Sequence, residues 1–339
     1  MIHFLPRFRN YAAVLACSIA VALAPSLSAE TTATTTPVGF ITVTIPAAAN
    51  ATTPSSRTLS IPLYNTAAYA GAVASVDSSS AFTVSGAAWT ANQFTTVPHF
   101  VRVKTGTNVG RFFLIASHTA NQLTVNTNGA NLTTLLAAND NCEIVPANTL
   151  GSVFGTTTPL LQANADAALA DKVFIWNGTA FDSFFHNGTN WRKATTTTNE
   201  NNTVLYPDEG FFITRVATTP VNLTLMGTVP STAEKTDLAG SGSTFIGNRF
   251  PVDIQLVALG LHQTPNWVSG PTAKTSDTVY AWNMAAGIWD VYFYNGTNWK
   301  KSGSLANQNT TVIPAGTSLF VTRANGTPVT LAQVLPYTP

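Results

Sequence analysis

A chain of 339 residues can bury a sizeable core and is expected to hold two or three domains. Only 9% of its residues are charged and the formal net charge is +1, so Thr, Asn, Ser and backbone amides must cover much of the surface. A balance that close to neutral offers no electrostatic footprint for nucleic acid, which is not an expected partner.

The first 29 residues read as an export signal. Arg7 and Arg9 precede an apolar run over residues 11–24, Pro25 breaks it, and Ser26, Ser28 and Ala29 offer a small-residue cleavage site. Within the run, Val14-Leu15-Ala16-Cys17 approximates a lipoprotein acylation box. Leu15 is bulkier than that position normally allows, and the run continues past Cys17, so an ordinary signal cysteine is the expectation. The mature chain then keeps Cys142 alone, which cannot form an internal disulfide. No later stretch approaches ~18 uninterrupted apolar residues, and no membrane span is expected in the mature chain. The implied location is exported: extracellular, cell surface or periplasmic.

Residues 30–150 are expected to form an N-terminal all-β domain. After a Thr-rich leader, residues 39–45 (GFITVTI) alternate and are rich in β-branched side chains, as a half-buried strand should be. Strand character returns over residues 57–63. Between residues 72 and 145, the segments AVASVD, AFTVS, HFVRVK, GRFFLIAS, QLTVNT and CEIVP recur between Gly, Asn, Ser and Thr turn signals. That spacing predicts an all-β sandwich or barrel. Residues 131–140 are read as one or two helical turns.

Two β-meander modules are expected to follow, over residues 151–235 and 236–339. Residues 159–171 (PLLQANADAALAD) are the best helix candidate, with Leu160, Leu161, Ala165 and Leu169 spaced for one face. Residues 230–243 read as a Gly/Ser/Thr-rich linker, and residues 245–261 as the start of the second module with a short helical stretch. The modules share a hairpin, FDSFFHNGTNWRK over residues 181–193 and WDVYFYNGTNWKK over residues 289–301. Arg215 and Arg323, like Pro220 and Pro328, keep the same offset, so the last two modules read as duplicates. An Asn-Gly pair between aromatic alternating runs is the strongest short-range hairpin signal, through its preference for type I′ turns. With Asn187-Gly188 central, Phe184 would face Trp191 and Asp182 would face Lys193; a four-residue loop would instead pair His186 with Trp191. The first register is preferred because it explains the retained Asp and Lys.

Signatures of chemistry are sparse. The histidines (His3, His99, His118, His186, His262) show no metal-ligand spacing, and His186 aligns with Tyr294. Asp208-Glu209 is an adjacent carboxylate pair in a YPDEG turn whose counterpart, residues 313–317, has no acid, so incidental turn acids are the expectation. No nucleophile elbow, P-loop or dinucleotide fingerprint is present. No catalytic, cofactor-binding or metal residue is assigned, and no cofactor is expected. Trp176, Trp191, Trp282 and Trp299 have two readings: core and cross-strand packing, which is favoured, and exposed stacking platforms for sugars.

Through DKVFIWNGTAFDSFF, TNWRK, VLYPDEGFFITR and PVNLTLMGTV the chain resembles a set of secreted, β-rich bacterial paralogues of verrucomicrobial type whose function is uncharacterised. PVGFITVTIP, HFVRVKTGTNVGRFFLIASHTANQLTV and NTLGSVFG fit the same resemblance, which spans nearly all of the mature chain. It implies export and a shared β-rich architecture, and no activity or catalytic residue. The fold class expected is mainly β, with several antiparallel sandwich- or barrel-like modules, short helices, and the last two modules duplicated. The function expected is that of a secreted, non-catalytic structural or binding protein. Its expected partners are polysaccharide or other surface proteins. A carbohydrate-binding protein with aromatic platforms is the first alternative, and an extracellular hydrolase the second.

Overall fold

β1 (Val38–Ile45) and β2 (Ser55–Leu59) open the described structure, a computed structural model that covers residues 36–50, 52–324 and 326–338. The expected signal, residues 1–29 with Cys17, lies outside the described residues. The fold is mainly β and antiparallel, as expected. The next six strands are β3 (Tyr69–Val76), β4 (Ala81–Val84), β5 (His99–Val103), β6 (Phe112–His118), β7 (Gln122–Asn126) and β8 (Asn141–Pro146). They close into a barrel of order β3-β4-β7-β6-β5-β8. These are the six segments that recur between turn signals in the sequence, and closure leaves no sheet edge to protect. Phe82, Val84, Val101, Val103, Leu123 and Ile144 fill the interior. Cys142 is buried and unpaired in β8, where burial and the neighbouring acids Glu143 and Asp140 push its thiol up to about 12. The helical turn expected after residue 131 is a 3-10 turn, Leu132–Thr134, capped by the Asn131 side chain.

The first module follows with β9 (Asn148–Thr149), α1 (Leu150–Phe154), β10 (Lys172–Trp176), β11 (Phe181–His186), β12 (Trp191–Lys193), β13 (Val204–Leu205), β14 (Phe211–Arg215) and β15 (Val221–Thr228). The second holds β16 (Glu234–Leu238), β17 (Gly242–Gly247), β18 (Ile254–Gln255), β19 (Thr278–Asn283), β20 (Ile288–Tyr294), β21 (Trp299–Lys301), β22 (Val312–Ile313), β23 (Ser318–Arg323) and β24 (Val329–Gln333). The two main sheets run β12-β11-β10-β14-β2 and β21-β20-β19-β23-β17, the same order. Each module adds two short ribbons: β1-β15 and β9-β13 in the first, β16-β24 and β18-β22 in the second. The first module therefore draws β1 and β2 from the far side of the barrel. Between β2 and β9 the chain builds that barrel, whereas residues 248–253 make the same link between β17 and β18.

Three sequence expectations are corrected. The helix over residues 159–171 is absent apart from a 3-10 turn at Ala167–Leu169. Its backbone groups are claimed elsewhere: Leu160 N–H donates to Phe154 O, Asn164 N–H to His186 O, and Asp171 N–H to Gln162 O. Asn164 and Asp166 side chains accept from nearby backbone N–H groups, the competition that makes such residues poor in helix interiors. The linker over residues 230–243 contains β16, paired along its length with β24.

The third correction is the hairpin register. His186 faces Trp191 and Phe184 faces Lys193, with Tyr294–Trp299 and Tyr292–Lys301 in the same places in the second module. Gly188 has φ 100° and Gly296 φ 96°, but Asn187 and Asn295 are not in the left-handed region, so no type I′ turn forms at Asn-Gly. Instead the Asn187 side chain accepts from the Thr189 and Asn190 backbones and Asn187 N–H donates to Asn190 O. The charge pair survives diagonally: Lys193 Nζ lies 2.9 Å from Asp182, and Lys301 Nζ 2.8 Å from Asp290.

One face of each main sheet packs on its own core, around Trp191, Val173 and Ile213 or around Trp299, Val279 and Val321. The opposite faces meet through aromatic rings. Trp176 meets Phe320 edge-on at 5.2 Å, and the matching Trp282 meets Phe212 at 5.4 Å. Ser60 faces Gly247 and Ser318 faces Gly210 so closely that a Cβ on either glycine would collide with the serine. The barrel is held to the second module by a buried ion cluster. Glu234 of β16 accepts from Arg102 of β5 at 2.7 Å and from Arg249, while Arg102 also lies 4.5 Å over the Tyr64 ring. All three charged side chains are essentially inaccessible.

Candidate functional site

Trp191 and Trp299 are wholly buried, which removes them as stacking platforms. Trp191 is anchored by Asn201 Oδ1 at its backbone N–H and by Gly155 O at its indole N–H; Asn309 makes the same backbone bond to Trp299. Trp176 and Trp282 are half-buried, and each indole crosses to the other module, to Ser243 O and Ser56 O respectively. Their geometry is that of packing residues with one edge left in a groove.

The histidines among the described residues are structural in position; His3 lies outside them. His186 lies buried, with one ring nitrogen against Thr156 O at 2.7 Å and the other accepting from Gly188 N–H. His118 accepts from Phe94 N–H, His99 bonds to Val97 O, and His262 lies against the Tyr294 ring at 4.5 Å. Among the described residues no cluster of three or more His, Cys, Asp or Glu is placed to hold a metal ion.

A groove of about 930 Å³ lies where the first main sheet, β17 and the barrel meet. Trp176, Asn177, Asp182 and Phe184 come from β10, β11 and their turn. Thr203 and Val204 lie near β13, Tyr206 and Glu209 belong to the YPDEG turn, and Ser243, Thr244 and Phe245 come from β17. Leu114 and Asn128 of the barrel close one side. A second cavity of about 560 Å³ continues toward β24 and shares Asn128, Tyr206, Glu209, Asp237 and Thr244 with the first.

The YPDEG turn is fixed in the seam between the modules rather than being a loose loop. Gly247 N–H donates to Asp208 O, Gly210 N–H donates to Phe245 O, and Glu209 bridges to Ile246. Burial, with Asp208 beside it, pushes the Glu209 carboxyl up to about 8, so at neutral pH it presents an O–H donor. The Glu209 side chain has no hydrogen-bond partner among the described residues. Burial also raises Asp208, against the pull of Arg249. Tyr206 is pushed up to about 12 by burial and by Glu209 and Asp208, and stays a neutral phenol.

The other groove acids are engaged. Asp182 is held by Lys193 and by the Asn177 amide, and Asp237 by Arg111 at 2.6 Å and by the Thr330 hydroxyl. The groove thus combines aromatic edges with fixed amide, hydroxyl and carboxyl groups, and Glu209 is the acid of its lining without a partner among the described residues. Tyr206 and Glu209 were not assigned from sequence. The signal the sequence offers is the YPDEG turn itself, and a counterpart without an acid masks it. No protein-family model, curated protein or solved structure matches this chain in comparisons with each.

Proposed function

We propose that the chain is an exported, non-catalytic binding protein, built on an internally repeated β-module, that holds a polysaccharide strand in the groove of its first module. It would act at the cell surface or in the extracellular space. The observation that carries this reading is the groove lining: Trp176 and Tyr206 beside Asn177, Asn128, Ser243 and a protonated Glu209. Sugars need apolar ring edges flanked by donors and acceptors held in place, and such a set is preorganised here. The engaged state of Asp182 and Asp237 supports binding over hydrolysis, because a glycosidase needs a second free carboxylate ~5–10 Å from its acid and the remaining carboxyl, Asp208, lies outside the lining of this groove.

The test is a glycan array probed with the chain from Glu30 onward and with Tyr206→Ala and Asn177→Ala variants. Binding that falls about tenfold in either variant, with the melting temperature unchanged, supports the reading. Equal binding by all three proteins refutes it. New reducing ends that disappear in Glu209→Gln would replace it with a hydrolase.

A further inference from the structure

We infer that the second module carries its own ligand groove, and that this groove receives a carboxylate-bearing sugar unit at Arg57. The inference rests on reading the first groove as a saccharide site. A cavity of about 380 Å³ lies on the second main sheet, lined by Trp282, Asn283, Asp290, Tyr292 and Thr311. Strand pairing makes it the counterpart of the first groove. Ile175 faces Asp182 as Ala281 faces Asp290, and Trp176 faces Phe181 as Trp282 faces Trp289. The acid is also held in the same way: Asn177 and Lys193 bond Asp182, and Asn283 and Lys301 bond Asp290, the amides at 3.3 and 3.2 Å.

Each groove borrows a wall from the other module. The first takes Thr244 and Phe245 of β17; the second takes Arg57 and Thr58 of β2, which pair with β14 as β17 pairs with β23. The differences are chemical. Thr317 stands where the first groove has Glu209, Pro314 replaces Tyr206, and Arg57 replaces Thr244. The first groove is acidic, whereas the second presents a guanidinium. Arg57 donates through one Nη to Thr44 O at 2.6 Å, but its Nε is buried without a partner and it forms no ion pair among the described residues. Burial lowers its pKa, the mark of a cation short of compensating charge. A guanidinium in that state is matched by a planar carboxylate, which offers two acceptors to its fork of donors.

The probe is a galacturonate hexamer, compared with its fully methyl-esterified form, titrated calorimetrically into the chain from Glu30 onward. The acid form is expected to bind at least tenfold more tightly than the ester, and to lose that advantage in Arg57→Gln, with partial recovery in Arg57→Lys. Absence of acid binding at millimolar probe overturns the inference, as does equal affinity for acid and ester in the unmodified chain, a comparison that needs no variant to fold. Tyr206→Ala separates the two readings: if it leaves neutral-glycan binding intact while Arg57→Gln abolishes preference for the acid, the first groove fails and the second stands.

Discussion

The two modules share strand order, hairpin, buried Trp and an Asp–Arg clasp, yet they were put to different uses. In the clasp, Asp171 accepts from Arg215 and from Val216 N–H, and Asp277 accepts from Ala324 N–H with Arg323 beside it at 3.5 Å. The ribbons diverge more. Ile41 faces Leu225 in β1-β15, and the matching position of β16 is Glu234, facing Gln333. Where the first module has a half-buried Ile, the second has a buried carboxylate whose partners include Arg102 of the barrel. The first module accommodates the barrel in its chain, whereas the second grips it by charge. A shared scaffold therefore preserves the packing rules while single positions decide what docks on it.

Trp191→Ala and Trp299→Ala should each cost about 3–5 kcal/mol, because both indoles are enclosed. The modules should then part company in the Phe variants. Trp191→Phe leaves Gly155 O without its donor, while the Trp299 indole N–H has no partner to lose, so denaturant titration should find Trp191→Phe the more damaging. Glu234→Ala strands Arg102 and Arg249 in the interior and is expected to cost about 3–5 kcal/mol. Hydrogen exchange in that variant should show lost protection at β16 and β5, and unchanged protection at both would refute the ion cluster as the tie between barrel and second module.

Gly188→Ala and Gly296→Ala force an L side chain to φ near 100°, and each should lose about 1–2 kcal/mol. A clear inequality between them would show that the two turns are not equivalent. A pH dependence separates the grooves. Glu209 has a folded-state pKa of about 8 against an ordinary value of 4.5, so the folded state holds the extra proton between those values. Stability should therefore decline as pH rises from about 4.5 toward 8, and the decline should weaken in Glu209→Gln. The second module has Thr317 at that position, so Thr317→Val should leave the slope unchanged.

The barrel strands, the paired hairpins and the Asp182–Lys193 attraction were legible in the residues because alternation and turn chemistry act over a few neighbours. The strands of the barrel are marked by the turn residues that separate them. The hairpin register was misjudged by a local choice of another kind: the Asn187 side chain took the role that a positive-φ backbone would have played.

Strand content, the shared hairpin and the low, balanced charge follow from the residues alone. Tertiary structure alone decided that residues 159–171 give their backbone hydrogen bonds to Phe154 and His186 rather than to a helix. It also decided that β1 and β2 complete a module across an intervening barrel, and that Glu234, in a stretch that reads as linker, is a buried counter-ion. The grooves belong to the same class, since Arg57 and Trp282, or Thr244 and Trp176, meet only when two modules pack. Their contacts span the whole chain, and no local periodicity encodes which distant face a residue will meet.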